Sequence, residues 1–449
     1  MKILLARPPA PNKLSFTGVL DNEPLELEYL HTALQANGYE DYLFDGMVEQ
    51  VRFERVLRRE QPDVVAITGY IAQENQMKRF ALAAKKYNPA IVTIVGGVHA
   101  QLNYRRFECP QIDYIARSEG MDAWIDLIRY IDTGAGELGA INGLCYRHGE
   151  DYTESPLTPS DINRLPIPDR AHFYKYRHRY RYLDLTPLAV VKTALSCPYQ
   201  CNFCYCTLLN GGHYHARDIE RVVDEIEGID CPHIQIVDDD FLVDRARILR
   251  FVALIKERGI QKKYICYTRA DFAAHNPDII ELLADIGFTY FLVGLEATSD
   301  EALSSLNKKT TDEINRACVA NINRTKGHCI GMFIVGIDAT PADFQAIVDW
   351  VESTGLQYVT ASMFTPIPGT PLYEENRHLI TSRRIEDWDF LHLVMKPTRM
   401  SPSRYYYHYY KMFLRFYQIA RKAGIYDFLD AKFYFRMIAR YLKRKMLGV

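Results

Sequence analysis

The sequence predicts an α/β protein: a doubly wound parallel-sheet domain, then a six-unit partial (β/α) barrel, then a helical C-terminal extension. Three observations carry this. Short apolar runs alternate with helical spacing over residues 1–145, and again over 186–375. That alternation is the mark of parallel sheets covered by helices on both faces. A proline-rich, charged stretch over 146–185 separates the two series and reads as a connector, with Pro156, Pro159, Pro166 and Pro168 favouring extended or turn geometry. The chain has 449 residues, enough for about three domains at ~150 each.

The first series opens with an apolar strand over 2–6, closed by Arg7-Pro8-Pro9. Residues 26–36 have helical spacing, with Leu27, Leu30 and Leu34 on one face and Gly38 as the stop. Further strands are expected at 41–44, 63–68, 91–95 and 113–116. Ligands on such sheets sit beyond the carboxyl ends of the strands, which draws attention to Gly96 and Gly97, although a tight turn explains that pair equally well. The stretch Arg164 to Arg170 is expected to pack on both neighbouring domains. The second series has strands at 189–195, 233–237, 264–268, 289–293, 328–335 and 358–364, with helices such as 219–227 and 245–258 between them. Six strand-helix units make a partial barrel, and polar residues recur just after the strands, where barrel enzymes keep their chemistry. The last segment, 376–449, is read as helical. Its residues 401–449 carry eleven Lys or Arg against two acids, Asp427 and Asp430, and open on a run of tyrosines from Tyr405 to Tyr410. A C-terminal helical cap explains this; so does a surface that meets an anionic membrane or substrate.

Composition narrows the function. With 48% hydrophobic and 24% charged residues, disorder is excluded as the main state. A net charge of −2 argues against a dedicated nucleic-acid binder. No apolar run approaches the ~18 residues of a membrane span, and residues 1–7 are too short and too soon closed by proline for a signal peptide. A chain of this kind with ten cysteines points to metal or catalysis rather than a disulfide framework. Cys109, Cys145, Cys266, Cys318 and Cys329 stand isolated in apolar settings and read as core. Cys197, Cys201 and Cys204 do not: three thiols fall on one short loop, where the first barrel strand ends. Thiolates hold iron–sulfur clusters, and a four-iron cluster normally takes four, so a three-Cys loop leaves one iron open. A zinc site is the competing reading, with Cys206, His213 or His215 as fourth ligand, though zinc favours two separated pairs over a triplet.

The loop Cys197-Pro198-Tyr199-Gln200-Cys201-Asn202-Phe203-Cys204 resembles the signature loop of the radical S-adenosylmethionine superfamily. The resemblance implies a [4Fe-4S] cluster on Cys197, Cys201 and Cys204, with Phe203 beside the cofactor and S-adenosylmethionine on the open iron. It further implies cofactor contacts at Asp238 and Asp239, where the family more often has a Gly-Gly-Glu-like stretch, and at Arg269, Glu296 and Arg217. For Arg269, Glu296 and Arg217 a structural ion pair explains the residue equally well; for Asp238 and Asp239 the competing reading is a helix N-terminus whose dipole the acids complement. The first domain, with Val95-Gly96-Gly97-Val98-His99-Ala100, Pro8-Pro9, Thr68-Gly69-Tyr70 and Ser118-Glu119-Gly120 at its strand ends, is similar to the cobalamin-binding domain of one branch of that superfamily. The loop Pro8-Pro9-Ala10-Pro11-Asn12 lacks the Asp-x-His-x-x-Gly of many cobalamin domains, so the resemblance implies a cobalamin with no protein histidine beneath it. His99 is then expected at a loop or the corrin edge.

In that branch the expected reaction is methylation of an unactivated carbon in a small-molecule or lipid substrate, through a 5′-deoxyadenosyl radical and methylcobalamin. The alternative is a non-methylating rearrangement, cyclisation or hydration with the same cofactors. Methylthio transfer would need three further cysteines in the first domain, and only Cys109 and Cys145 precede Cys197. A non-catalytic iron–sulfur or zinc protein that binds a partner through its tail is the reading from another class. An external electron donor such as flavodoxin or ferredoxin is expected as a partner, and nucleic acid is not. The stretch Asp387-Trp388-Asp389-Phe390-Leu391-His392 is expected to approach the substrate; no catalytic side chain is singled out. A cytoplasmic location is expected, with peripheral membrane contact through the tail.

Overall fold

A computed structural model describes residues 1–11, 20–49 and 51–425. Asn12 and the end of the basic tail, with Asp427 and Asp430, lie outside the described residues. The first domain is built on a seven-stranded sheet: β1 (Lys2–Arg7), β2 (Glu40–Asp45), β3 (Val64–Thr68), β4 (Val92–Gly96), β5 (Tyr114–Ala116), β6 (Leu144–His148) and β7 (Asp151–Glu154). Its order is β2-β1-β3-β4-β5-β6-β7. The first five strands run parallel, and β6 and β7 add an antiparallel hairpin at one edge. Alternation along β1 explains why the sheet is covered on both sides: Leu4 and Ala6 enter one hydrophobic cluster, Ile3 and Leu5 the other. Helix α1 (Leu25–Ala36) lies on one face, and α2 (Phe53–Glu60) and α3 (Glu74–Tyr87) on the other. Strand order reverses between β1 and β3, so a ligand crevice opens beyond the ends of those strands. The sheet runs on to Glu154, past the boundary expected at residue 145, because the hairpin completes the edge that β5 would leave open.

The second sheet is six parallel strands in chain order: β8 (Ala189–Val191), β9 (His233–Ile236), β10 (Lys263–Arg269), β11 (Phe288–Glu296), β12 (His328–Val335) and β13 (Tyr358–Met363). The six-unit partial barrel is therefore present. Intervening helices cover its outside. Its inner face is packed by Tyr182, Leu185, Leu188, Ile265, Tyr290, Leu292 and Ile330.

The first barrel strand is shorter than expected. Rather than running unbroken through residue 195, it stops at Val191, and Ala194–Leu195 turns off to pair with His215–Ala216. The cause is Asp238, whose buried carboxylate accepts the Thr193 amide at 2.6 Å, the Ala194 amide at 3.0 Å and the Thr193 hydroxyl. That clamp redirects the chain into the cysteine loop. The connector also packs as expected: Arg170 Nη1 reaches Glu23, and Nη2 reaches Glu225 at 2.7 Å and the Val190 carbonyl at 2.9 Å. Tyr180 donates to Asp45 at 3.1 Å, and Arg7 pairs with the same carboxylate at 2.7 Å. These buried polar contacts tie the connector to both domains. At the C-terminus, α4 (Pro402–Lys422) packs Tyr405, Tyr409, Met412 and Phe416 into the barrel core.

Candidate active site

The cysteine loop is held by segments far along the chain. The Asn202 amide donates to the Leu306 carbonyl at 3.1 Å, Asn307 Nδ2 donates to the Gln200 carbonyl, and the Leu372 amide donates to the Asn202 carbonyl at 3.2 Å. Cys197, Cys201 and Cys204 are each half-buried, whereas Cys145, Cys231, Cys266, Cys318 and Cys329 are buried in cores and Cys109 is half-buried at the edge of one. Among the described residues, no three His, Cys, Asp or Glu side chains converge tightly enough to hold an ion as they stand. The three thiols nevertheless form an all-sulfur donor set on one accessible loop, which suits an iron–sulfur cluster. Burial pushes the Cys197 thiol up to about 12 and raises Cys201, the latter against Lys308 and Arg269. Cys204 is lowered, chiefly by a hydrogen bond with Cys206. Ligation to iron therefore has to release protons from this loop.

Cations stand around the thiols. Arg269 Nη1 lies 3.6 Å from Cys201 Sγ, and its guanidinium covers the Tyr199 ring at 4.0 Å. The other edge of that guanidinium is bound to Asp271 at 3.0 Å and to the Lys308 carbonyl. Lys308 Nζ pairs with Glu296 at 2.7 Å and lies 5.9 Å from the Phe203 ring centre. Glu296 sits at a register shift in β11 with φ +62°. The bulge turns its carboxylate back over Gly294, where a Cβ would meet Glu296 Oε1 at 2.3 Å and Lys308 Nζ at 2.7 Å. Asp239 and Asp240 each keep one buried carboxylate oxygen without a hydrogen-bond partner. Burial raises Asp240 to about 7, against the pull of Arg269 and Lys308.

Two expected cofactor contacts are committed elsewhere. Asp238 spends its carboxylate on Thr193 and Ala194. Arg217 is wholly buried and bonded to Glu225 at 2.5 Å, which ties it to the Arg170 network as the structural ion pair would. Lys308 was not singled out from sequence. It follows Glu296 by twelve positions, and only the return of the chain after β11 brings the two together.

On the first domain, Gly97 has φ +88°, and a Cβ there would stand 2.3 Å from Thr68 Oγ1. Strand ends β3 and β4 can thus meet only with glycine at that position. Gly96 precedes it at the end of β4, half-exposed. His99 is buried, with Nε2 2.9 Å from Glu74 and Nδ1 3.4 Å from Asn103. Both ring nitrogens are engaged within the domain. Glu74 also pairs with Arg106 and Lys78 and is held down to about 2: burial would raise it, and its bonds with His99, Arg106 and Lys78 outweigh that.

The two halves open on one cleft of about 200 Å³, lined by Tyr70, Ile71, Val98 and His99 from the first domain and Tyr205, Trp388 and Phe390 from the second. Tyr205 belongs to the cysteine loop. Trp388 is fixed by its indole N–H, 3.0 Å from the Pro366 carbonyl. Phe390 has φ +65° and is 40% exposed at the edge of this cleft.

Known proteins give the same division. The family described as B12 binding domain matches residues 15–128, and the Radical SAM superfamily matches 191–351. An uncharacterized methyltransferase of Pyrococcus horikoshii is 27% identical over 83% of this chain and 83% of its own. The anaerobic magnesium-protoporphyrin IX monomethyl ester cyclase of Cereibacter sphaeroides is 27% identical over 84% of this chain and 64% of its own. The hopanoid C-3 methylase of Methylococcus capsulatus is 28% identical over 88% and 77%. The radical S-adenosylmethionine methyltransferase TsrM from Kitasatospora setae, solved with cobalamin and a [4Fe-4S] cluster, shares the fold with a TM-score of 0.70 at 18% identity, over 85% of this chain and 79% of that one. The cobalamin-dependent radical enzyme OxsB, solved with aqua-cobalamin, covers the whole of this chain and 79% of its own at a TM-score of 0.73 and 14% identity. With a B12-binding domain leading into a radical SAM barrel across one cleft, this chain belongs to the cobalamin-dependent radical S-adenosylmethionine enzymes, whose cofactors are a [4Fe-4S] cluster, S-adenosylmethionine and cobalamin.

Proposed function

We propose that this protein methylates an unactivated carbon of a small-molecule or lipid substrate. The observation that carries the reading is the shared cleft: the cysteine loop, through Tyr205, and the cobalamin-side strand ends, through Tyr70 and His99, open on the same aromatic space. When bound, the cluster with S-adenosylmethionine supplies a hydrogen-abstracting radical, and the cobalamin a transferable methyl group. Cys197, Cys201 and Cys204 would hold the cluster. Arg269 and Lys308 place positive charge beside the thiolates and so favour their ionised form. Asp239, Asp240 and Glu296 offer carboxylates toward the amino end of S-adenosylmethionine, and Phe203 an apolar wall. Thr68, Gly96 and Gly97 let the cobalamin approach the backbone, and His99, locked by Glu74, stiffens its edge. Trp388 and Phe390 line the cleft opposite and exclude water from the reacting carbon. An external reductant such as flavodoxin or ferredoxin would deliver the electron. A reducing, low-oxygen compartment, the cytoplasm, suits an exposed cluster loop.

Relatives named as methylases and methyltransferases support methylation. A cyclisation without methyl transfer is favoured by the cyclase relative. Anaerobic incubation of reconstituted protein with S-adenosylmethionine carrying a labelled methyl, against polycyclic lipid and tetrapyrrole substrates, separates the two. Methylation predicts a labelled product heavier by one methylene unit. 5′-Deoxyadenosine with an unlabelled product would replace it with the cyclisation reading.

A further inference from the structure

Helix α4 divides its surface sharply. Tyr405, Tyr409, Met412, Phe416 and Ala420 are buried, with Tyr405 Oη donating to the Val335 carbonyl at 3.0 Å and Tyr409 Oη to the Ala361 carbonyl at 2.6 Å. At 3.6 residues per turn, the opposite arc carries Tyr407, Tyr410 and Leu414, which are 62%, 60% and 56% exposed. Arg404, Lys411 and Lys422 border this arc on one side, and Arg421 lies within it; all four are exposed. The helix has no acidic residue. The nearest acid on the packed helix Pro341–Thr354 is Glu352, which is taken up by Arg415 at 2.6 Å. Charge is segregated along the whole chain: residues 401–449 hold eleven Lys or Arg against two acids in a protein of net charge −2, so residues 1–400 carry −11.

A soluble protein seldom leaves two tyrosines and a leucine on one exposed helical arc without a partner for them. Tyrosine is at home where an apolar interior meets water, and cations beside it pair with anionic headgroups. Among the described residues no helix is long and apolar enough to cross a membrane, so any lipid contact of α4 lies along the surface. We infer that the outer face of α4 docks the enzyme on an anionic lipid bilayer, with Tyr407, Tyr410 and Leu414 entering the interface and Arg404, Lys411, Arg421 and Lys422 meeting the headgroups. An acidic protein would use the cations but has less use for the apolar arc, which is what favours lipid.

The test is co-sedimentation of the full-length protein with vesicles of phosphatidylcholine alone or in equimolar mixture with phosphatidylglycerol. Wild-type protein binds the anionic vesicles and not the neutral ones, less tightly as salt rises. Lys411→Gln with Lys422→Gln lowers the partition coefficient about 25-fold, about fivefold for each charge removed. Tyr407→Ser with Leu414→Ser also lowers it, most visibly at high salt, where the apolar part dominates. Each variant keeps the wild-type circular dichroism spectrum and hydroxocobalamin retention, since these side chains face outward. Equal binding to both vesicles, no binding to either, or unchanged binding by both double variants overturns the proposal. So does polyglutamate displacing the protein from vesicles with equal loss for the charge variant and none for the Tyr407/Leu414 variant, which would mark an acidic protein partner.

Discussion

Replacing Lys308 by methionine tests whether the Glu296–Lys308 pair is what holds the cysteine loop in place. The two side chains are 9% and 7% exposed and 2.7 Å apart. Removing one member of a buried pair leaves the other charge uncompensated and costs about 3–5 kcal/mol. Glu296 cannot swing out to water easily, because its backbone is fixed at φ +62° by the register shift in β11. Burial works to lower the Lys308 pKa, yet Glu296 and Cys201 outweigh it and the group is raised; the lysine is a firm cation, and its loss is a loss of charge. Urea unfolding of the apo-protein, followed by circular dichroism, should show Lys308→Met destabilised by about 3–5 kcal/mol. Adding Glu296→Gln removes the stranded charge and should restore most of that loss. Gly294→Ala should cost about 1–3 kcal/mol through overpacking against the same two side chains. Iron retained after anaerobic reconstitution should fall with Lys308→Met, since losing the buried pair loosens the segment whose residue-308 carbonyl anchors Arg269 and whose Asn307 anchors the loop at Gln200. The reasoning fails if Lys308→Met costs less than about 1 kcal/mol, or if the double variant is less stable than the single.

Other outcomes follow from the same geometry. Changing any one of Cys197, Cys201 or Cys204 to Ala should abolish the iron–sulfur visible absorption, whereas Cys266→Ala, at a buried core thiol, should retain it and lose only stability. Gly97→Ala should weaken hydroxocobalamin retention by on the order of tenfold, since an alanine at φ +88° and ψ 174° costs about 1–3 kcal/mol before its clash with Thr68 is counted. Arg170→Met strands Glu23, while Glu225 keeps Arg217, and should cost about 3–5 kcal/mol in urea unfolding. Glu74, held at about 2, is a depressed carboxyl. Its contribution is present above its unfolded value and is lost as pH falls through about 2. With the half-exposed Arg106 discounted for solvent screening, Glu74→Gln should lower stability at neutral pH by about 2–3 kcal/mol. The difference should vanish in acid unfolding below that pH.

What the sequence shows of this protein divides by the reach of the interactions. The cysteine loop, the glycine pair and the alternation of strands are local patterns, and a local pattern is complete in the sequence. The strand that was expected to run to residue 195 breaks because of Asp238, 45 positions on; nothing near Val191 announces the break. Arg217 looks like a cofactor contact in sequence because it follows the loop closely, yet its partner Glu225 lies two turns along the next helix, and burial decides between the readings. Lys308, Asn307 and Phe390 come from loops whose positions depend on the barrel closing, and Phe390 has a left-handed backbone that its own residue type does not favour. The parts of the site that touch the cluster are thus legible from spacing, while the parts that hold the cluster loop still are legible only from topology. Substitutions at the first kind should remove a cofactor outright. Those at the second should leave the cofactor bound more weakly and the fold less stable together, and that joint loss is the signature by which Lys308 can be told from a ligand.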